Sequence, residues 1–169
     1  YGTGCFLLLN TGDKRISSEN RLLSTIAYRL DGKTTYGLEG SIFVAGSAIQ
    51  WLRDELNFFE SAGDSEEIIN HRNVNSKVLV VPAFTGLGAP HWDPNSRGSI
   101  FGLTRDSSIA DLTAATLESI AFQTKDLIGA MESDGANFSE LRVDGGMVAN
   151  NWFSQQLANI LNIDVLRPK

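Results

Sequence analysis

The fold is decided by the stretch LRVDGGMVANNWF at residues 141–153. Residues 141–143 predict a short strand, Asp144-Gly145-Gly146 predicts a turn, and a helix is predicted from about Asn150 to Leu161. Two glycines between a strand end and a helix leave space beside the backbone, and nucleotides bind in such crevices. The Asn150 amide could bond a purine or a ribose there. A purely structural strand-to-helix turn is the alternative.

The segments on either side predict one mixed α/β domain. Asp31-Gly32 lies between two β-prone segments and is a strong hairpin signal. Ser108 and Asp111 form a capping-box-like start to the longest predicted helix, which extends to Gly135. Further strands are predicted at residues 5–9, 25–30, 33–38, 77–81 and 164–167, and further helices at 44–56 and 66–70. We expect the first strands to form a meander and the helices to pack on the sheet.

Residues 83–98 are rich in Gly, Pro, Asp and Asn, yet they contain Phe84, Leu87 and Trp92. Large apolar side chains are unusual in a solvated linker, so we expect an ordered loop that packs on the domain. His91 is interpreted as a ring within that loop, with a catalytic role as the weaker alternative.

Two other glycine motifs resemble phosphate-binding loops but lack a required residue. Gly32-Lys33-Thr34 resembles the end of a Walker loop, but Ala27 stands where that loop needs glycine. Gly2-Thr3-Gly4 resembles the start of a dinucleotide fingerprint, but Leu7 stands at the third glycine and a strand follows. The Gly2-Thr3-Gly4 turn keeps another use, because its backbone N–H groups and the Thr3 hydroxyl can donate to phosphate oxygens. A plain tight turn is the alternative.

Gly46 and Gln50 lie one turn apart on the helix predicted at residues 44–56. A small residue followed by an amide at i, i+4 makes a notch with a polar rim. A glutamine that simply faces solvent is the other interpretation.

Composition narrows the class of protein. The 169 residues carry a formal charge of −6 with a pI near 4.8, and no basic run offsets it, so nucleic acid is not expected as a partner. No window reaches the ~20 apolar residues of a membrane span, and we expect a cytoplasmic protein. One cysteine, Cys5, and two histidines, His71 and His91, make no metal-ligand cluster. Cys5 lies in an apolar run and is expected to be a buried, unreactive thiol.

The most specific pattern lies between Gly98 and Glu118. Its residues are Gly98, Ile100, Gly102 and Leu103, then, after a spacer, Asp111, Leu112, Ala115, Thr116, Leu117 and Glu118. They match a signature of the FGGY carbohydrate kinases, and the whole chain resembles that family, which includes xylulose, gluconate and fuculose kinases. Within the family it resembles the glycerol kinases in four segments: YGTGCF at the start, SAIQWLRDEL at 47–56, PAFTGLGAPHWDPNSRG at 82–98, and LRVDGGMVANNWF at 141–153. His91 stands where those kinases often have tyrosine. This difference affects the expected packing of that loop and leaves the resemblance to the family intact.

The resemblance implies a domain of the actin, hexokinase and Hsp70 ATPase type, with a ribonuclease H-like α/β fold in which two domains close on ATP and substrate. It implies that residues 1–169 are most of the C-terminal, nucleotide-binding domain, incomplete at both ends, with the N-terminal domain outside this chain. The implied contacts are Thr3, with Gly2 and Gly4, to the phosphates, Gly46 and Gln50 along the nucleotide site, Gly146 and Asn150 to the adenosine, and Phe6 to the carbon skeleton of glycerol.

The implied reaction of the parent enzyme is ATP-dependent phosphorylation of glycerol to glycerol 3-phosphate, with Mg²⁺ held together with the phosphates. No catalytic residue is implied in this chain, because the family's catalytic aspartate and most of its glycerol contacts lie upstream. Phosphoryl transfer needs positioning and charge neutralisation, and this chain would supply the phosphate cradle. The alternatives are another polyol or sugar acceptor, such as xylulose or gluconate, and a chain that is non-catalytic by itself. The parent is expected to be a homo-oligomer.

Overall fold

The computed structural model describes residues 1–168 and packs three small sheets and three α-helices around a fourth, long α-helix. The strands are β1 (Cys5–Gly12), β2 (Leu23–Leu30), β3 (Lys33–Ile42), β4 (Leu79–Val81), β5 (Ser99–Phe101), β6 (Glu140–Arg142) and β7 (Asp164–Leu166). The helices are α1 (Gly46–Asp54), α2 (Ser65–Ile68), α3 (Ile109–Ser133) and α4 (Asn151–Leu161), with 3-10 segments at Ala62–Asp64, Ile69–His71 and Gly146–Ala149. In this described part of the chain, every helix is too short or too polar to cross a membrane.

The first sheet has the strand order β1-β3-β2, and both pairs are antiparallel. The predicted hairpin is confirmed: Leu30 pairs with Lys33, and Asp31 and Gly32 both have positive φ, as a type I′ turn requires. The predicted meander is wrong, because β1 pairs with β3 and not with β2. The loop at residues 13–22 is long enough to carry the chain past the hairpin, so β1 occupies the free edge of β3.

Helix α3 is the centre of the core. It is buried along most of its length and contacts β3, β4, α1 and α4. A β-carbon at Gly40 of β3 would lie 2.7 Å from a methyl group of Leu127, so glycine at this position permits the close approach of sheet and helix. The predicted capping box is confirmed, since Ser108 Oγ accepts from the Asp111 N–H and the Asp111 carboxylate accepts from the Ser108 N–H. Asp111 also accepts from the Asn73 N–H at 2.7 Å, which fixes the loop before β4.

The predicted packed loop at residues 83–98 is confirmed. Trp92 packs on the main core, and its indole N–H donates to the Arg21 carbonyl oxygen at 2.6 Å. The Arg21 guanidinium donates to the His91 carbonyl oxygen, and the His91 ring lies 3.3 Å from the Asp126 carboxylate on α3. The loop leads into β5, which pairs antiparallel with β4 and was not predicted from the sequence. Its three residues are all exposed and too few to show a period.

The predicted strand, turn, helix and strand in the last third of the chain are confirmed. Strands β6 and β7 are parallel, with Leu141 opposite Val165, and α4 crosses between them. Phe153 and Leu157 of α4 are buried in the main core, where α4 packs against α3. The stretch between β6 and α4 is therefore held at both ends by the core.

Candidate functional site

Two turns that are far apart in the sequence meet at Tyr1. The Tyr1 nitrogen donates to the Asp144 carbonyl oxygen at 2.7 Å across 143 positions, and the Met147 N–H makes a longer contact, 3.4 Å, to the Tyr1 carbonyl oxygen. Gly145 has φ of +100°, and a β-carbon there would overlap the Tyr1 carbonyl oxygen. Glycine is required at this junction by both its φ and the close approach of the Tyr1 backbone.

Tyr1 is anchored to the core by its side chain. Its hydroxyl lies 2.9 Å from Thr124 Oγ1 on α3, and its ring packs edge-on against Phe153 at a centroid distance of 5.4 Å. Burial raises the pKa of the Tyr1 hydroxyl, and burial also raises the pKa of the nearby Cys5 thiol to about 11. Both groups stay protonated at neutral pH, and Cys5 is buried as the sequence indicated.

The Gly2-Thr3 turn docks on the N-terminus of α1. The Gly46 N–H donates to the Gly2 carbonyl oxygen at 2.8 Å, and the Ala45 and Ser47 N–H groups donate to the Thr3 carbonyl oxygen at 2.9 and 3.1 Å. The first N–H groups of a helix have no intrahelical partner, and here the turn supplies three of them with acceptors. A β-carbon at Gly46 would lie 2.6 Å from the Gly2 carbonyl oxygen, so glycine permits this contact.

Between these turns, α1 and the Ala62–Asp64 segment lies a cavity of about 340 Å³, a size typical of small-molecule sites. Its lining consists of Gly2, Thr3, Gly46, Ile49, Gln50, Ala62, Gly63, Ser65, Glu66, Leu117, Gly146, Met147, Ala149 and Asn150. The structure thus brings together Gly2, Thr3, Gly46, Gln50, Gly146 and Asn150, which the sequence singled out in three separate motifs.

Two of the residues singled out in the sequence lie outside this lining. Gly4 packs against the end of β3, where a β-carbon would lie 2.6 Å from the Ile42 carbonyl oxygen. Phe6 is 74% exposed on the outward side of β1, while its neighbours Cys5 and Leu7 point into the core. The Gly2 N–H donates to the Gly4 carbonyl oxygen at 2.9 Å, so a phosphate contact by the Gly2 amide requires this bond to open.

Sequence reasoning missed one wall of the cavity, the segment from Ala62 to Glu66. Ser61 caps this segment, because its hydroxyl accepts from the Gly63 N–H and the Asp64 carboxylate accepts from the Ser61 N–H. The spacing Ser-x-x-Asp at residues 61–64 is the signal by which this turn could have been found. Its place in a cavity could not have been found that way, because a capping box carries no information on its tertiary neighbours.

The cavity lining has little charge. Within the described residues, Glu66 is its one ionisable side chain, and its carboxylate accepts from the Asn151 N–H at 3.2 Å. The same part of the chain contains no group of three or more His, Cys, Asp or Glu side chains placed to hold a metal ion. A polyphosphate bound here would need its charge balanced by a cation that it carries or by groups outside this lining.

Comparison with known proteins finds similar kinases both by sequence and by structure. A glycerol kinase of Marinomonas sp. is 60% identical over 99% of this chain, and a glycerol kinase of Coxiella burnetii is 57% identical over all of it. The crystal structure of Plasmodium falciparum glycerol kinase with ADP matches the whole chain with a TM-score of 0.91 at 38% identity. In each case the match spans 34% of the other protein, so this chain is about a third as long as its relatives.

The fold is that of the actin- and hexokinase-like ATPases, shared with these kinases. The family model for the C-terminal domain of the FGGY carbohydrate kinases matches residues 1–169. The chain belongs to the FGGY family of carbohydrate kinases.

Proposed function

We propose that the full-length protein containing this chain transfers the γ-phosphoryl group of ATP to the 3-hydroxyl of glycerol, and that this chain forms the ATP-binding half of the cleft. The observation that carries the proposal is the meeting of the Gly2-Thr3 turn and the Asp144–Met147 turn at one cavity. Glycerol as acceptor is supported by relatives that are 57–60% identical and are named glycerol kinase.

Within the cavity, we assign Thr3 to the phosphates and Gly146 with Asn150 to the adenosine, while Gly46 and Gln50 line the site between the two turns. Two observations support the role of Thr3. It is exposed, and its turn is held on α1 through backbone carbonyl oxygens, so the Thr3 hydroxyl is free to face a ligand. Gly146 has open space where a β-carbon would stand, so a ligand can approach its backbone closely.

The chemistry of phosphoryl transfer is divided between this chain and the rest of the enzyme. The glycerol hydroxyl oxygen attacks the γ-phosphorus, its proton passes to a carboxylate base supplied by the upstream domain, and ADP leaves with the former bridging oxygen. Because Glu66 is the one charged side chain of the lining, Mg²⁺ bound to the phosphates is the expected source of charge neutralisation. This chain without that base is expected to be inactive.

Phe6 is assigned to the carbon skeleton of glycerol. Its ring is exposed on the outward side of β1, only three residues from Thr3, so a ligand held by both would lie across this edge of the domain.

We also propose that the parent is a cytoplasmic homo-oligomer. Sedimentation of the full-length protein would test its oligomeric state.

The proposal is tested by steady-state kinetics of the full-length protein with glycerol, xylulose and gluconate as acceptors. We expect turnover of glycerol and a loss of about 10-fold or more in kcat/KM for ATP in Thr3→Ala, because a charged phosphate loses a donor. Thr34→Ala, in the β2–β3 hairpin, is the matched control and should retain wild-type kinetics. Preferred turnover of xylulose or gluconate would refute glycerol as the acceptor, and unchanged ATP kinetics in Thr3→Ala would refute the placement of the phosphates.

A further inference from the structure

The Asn150 side chain has a fixed orientation in the cavity wall. One end of its amide lies 2.8 Å from the Phe153 N–H, which can only donate, so that end is the oxygen. The nitrogen therefore faces Ser65, with 3.2 Å between Asn150 Nδ2 and Ser65 Oγ. An Asn150 amide held in this way has its oxygen engaged as the N-cap of α4 and keeps one N–H for another partner.

Ser65 is itself fixed in the role of acceptor. It is 2% exposed, and its hydroxyl donates to the Ala62 carbonyl oxygen at 2.7 Å. A hydroxyl has one hydrogen, so the contact to Asn150 must use a lone pair of Ser65 Oγ. The result is a chain of hydrogen bonds with one direction, from the Asn150 amide through Ser65 to the backbone of the Ala62–Asp64 segment.

Glu66 joins the same two walls of the cavity a second time. Its carboxylate accepts from the Asn151 N–H, which belongs to the first turn of α4 and has no intrahelical partner. A carboxylate is favoured at this end of a helix by the helix dipole. Two adjacent side chains of α2, Ser65 and Glu66, therefore hold the N-cap residue Asn150 and the first residue of α4, Asn151.

We propose that Ser65 and Glu66 are positioning residues for nucleotide recognition. Ser65 accepts from the Asn150 amide and Glu66 accepts from the neighbouring Asn151 N–H, so that Asn150, with its oxygen engaged by the Phe153 N–H, offers an N–H and not an oxygen to the nucleoside. The group that Asn150 recognises is then a hydrogen-bond acceptor of the base or the ribose. This inference rests on the proposed function, because it takes the cavity to be the ATP site. It adds residues that the Gly146 and Asn150 assignment alone does not include.

The test measures KM for ATP, kcat and KM for glycerol in variants of the full-length protein. Ser65→Ala and Glu66→Ala should each raise KM for ATP about three- to tenfold, the effect of one lost hydrogen bond on a positioned group. Their kcat and KM for glycerol should change by less than about twofold, since neither side chain is assigned to the reacting atoms. Glu66→Gln keeps a carbonyl oxygen that can accept from Asn151 and should restore most of the affinity for ATP.

Ser61→Ala is the matched control, because it removes a capping hydroxyl from the same wall without bordering the cavity. It should leave KM for ATP near the wild-type value. An equal rise in KM for ATP in Ser61→Ala, or no rise in Ser65→Ala and Glu66→Ala, would overturn the inference.

Asn150→Ala separates this inference from the proposed function. If Asn150→Ala raises KM for ATP while Ser65→Ala and Glu66→Ala do not, the ATP site stands and the positioning role is wrong. If Asn150→Ala also leaves KM for ATP unchanged, both the placement of the adenosine and the positioning role are wrong.

Discussion

Two single replacements by alanine, at the adjacent residues Gly145 and Gly146, should separate the fold of the site from its function. A β-carbon at Gly145 would overlap the Tyr1 carbonyl oxygen and lie 2.9 Å from its carbonyl carbon, and φ at this residue is +100°. A β-carbon at Gly146 meets no atom within 4 Å and would extend from a residue that lines the cavity. The same change of one methyl group is therefore incompatible with the backbone at one position and compatible with it at the next.

The expected magnitudes follow from these contacts. Gly145→Ala should cost about 2–4 kcal/mol, the sum of backbone strain and the loss of the Tyr1-to-Asp144 hydrogen bond. For a domain of this size, that corresponds to a fall in Tm of roughly 5–15 °C. Gly146→Ala should be neutral or stabilise by about 0.4–1 kcal/mol, because alanine restricts the unfolded chain at no steric cost. It should nevertheless raise KM for ATP about tenfold, because its methyl group takes space assigned to the nucleotide.

The assay combines thermal unfolding of the full-length protein with steady-state kinetics, and hydrogen exchange of the first residues reports on the Tyr1 contact directly. Gly145→Ala should show faster exchange at Tyr1 and Gly2, and Gly146→Ala should not. Equal destabilisation by both changes would refute the assigned backbone geometry. A stable Gly146→Ala with wild-type KM for ATP would refute the placement of the adenosine.

Three further predictions concern Cys5, Asp111 and Phe6. Because burial raises the pKa of Cys5 to about 11, alkylation at pH 8 should be at least about 100-fold slower in the native than in the urea-unfolded protein, as mass spectrometry would detect. Asp111→Ala should lower stability by about 1–3 kcal/mol in thermal unfolding, because Ser108 and Asn73 lose their acceptor. Burial opposes ionisation of Asp111, but its hydrogen bonds outweigh burial and lower its pKa. Its stabilisation is thus complete above the ordinary carboxyl pKa and lost as the pH falls through the lowered value, so the difference between wild type and Asp111→Ala should shrink in acid. Phe6→Ala should leave Tm within about 1 °C, since the ring is exposed, and raise KM for glycerol about tenfold. Equal alkylation rates of Cys5 in the native and unfolded protein would contradict the first prediction. A stability difference between wild type and Asp111→Ala that does not change with pH would contradict the second, and an unchanged KM for glycerol in Phe6→Ala would contradict the third.

Elements with a strong local signal could be predicted from the sequence. Asp31-Gly32 specified its hairpin because both residues tolerate the positive φ of a type I′ turn, and Ser108 with Asp111 specified the start of α3. Helices α1 and α4 lie within the predicted segments because their apolar residues recur at helical spacing. Strand β5 was missed because three residues do not make a period.

The sequence by itself determined most of the local elements and, through the signature between Gly98 and Glu118, the family of the chain. Only the tertiary structure decided that β1 pairs with β3, because pairing across a long loop depends on which strand edge is left open and not on local propensity. Only the tertiary structure joined Ser65 and Glu66 to Asn150 and Asn151, since residues 85 positions apart share no periodic pattern. The cavity, too, was decided only by the tertiary structure, because each of its walls is an ordinary turn or helix and only packing on α3 brings these walls together.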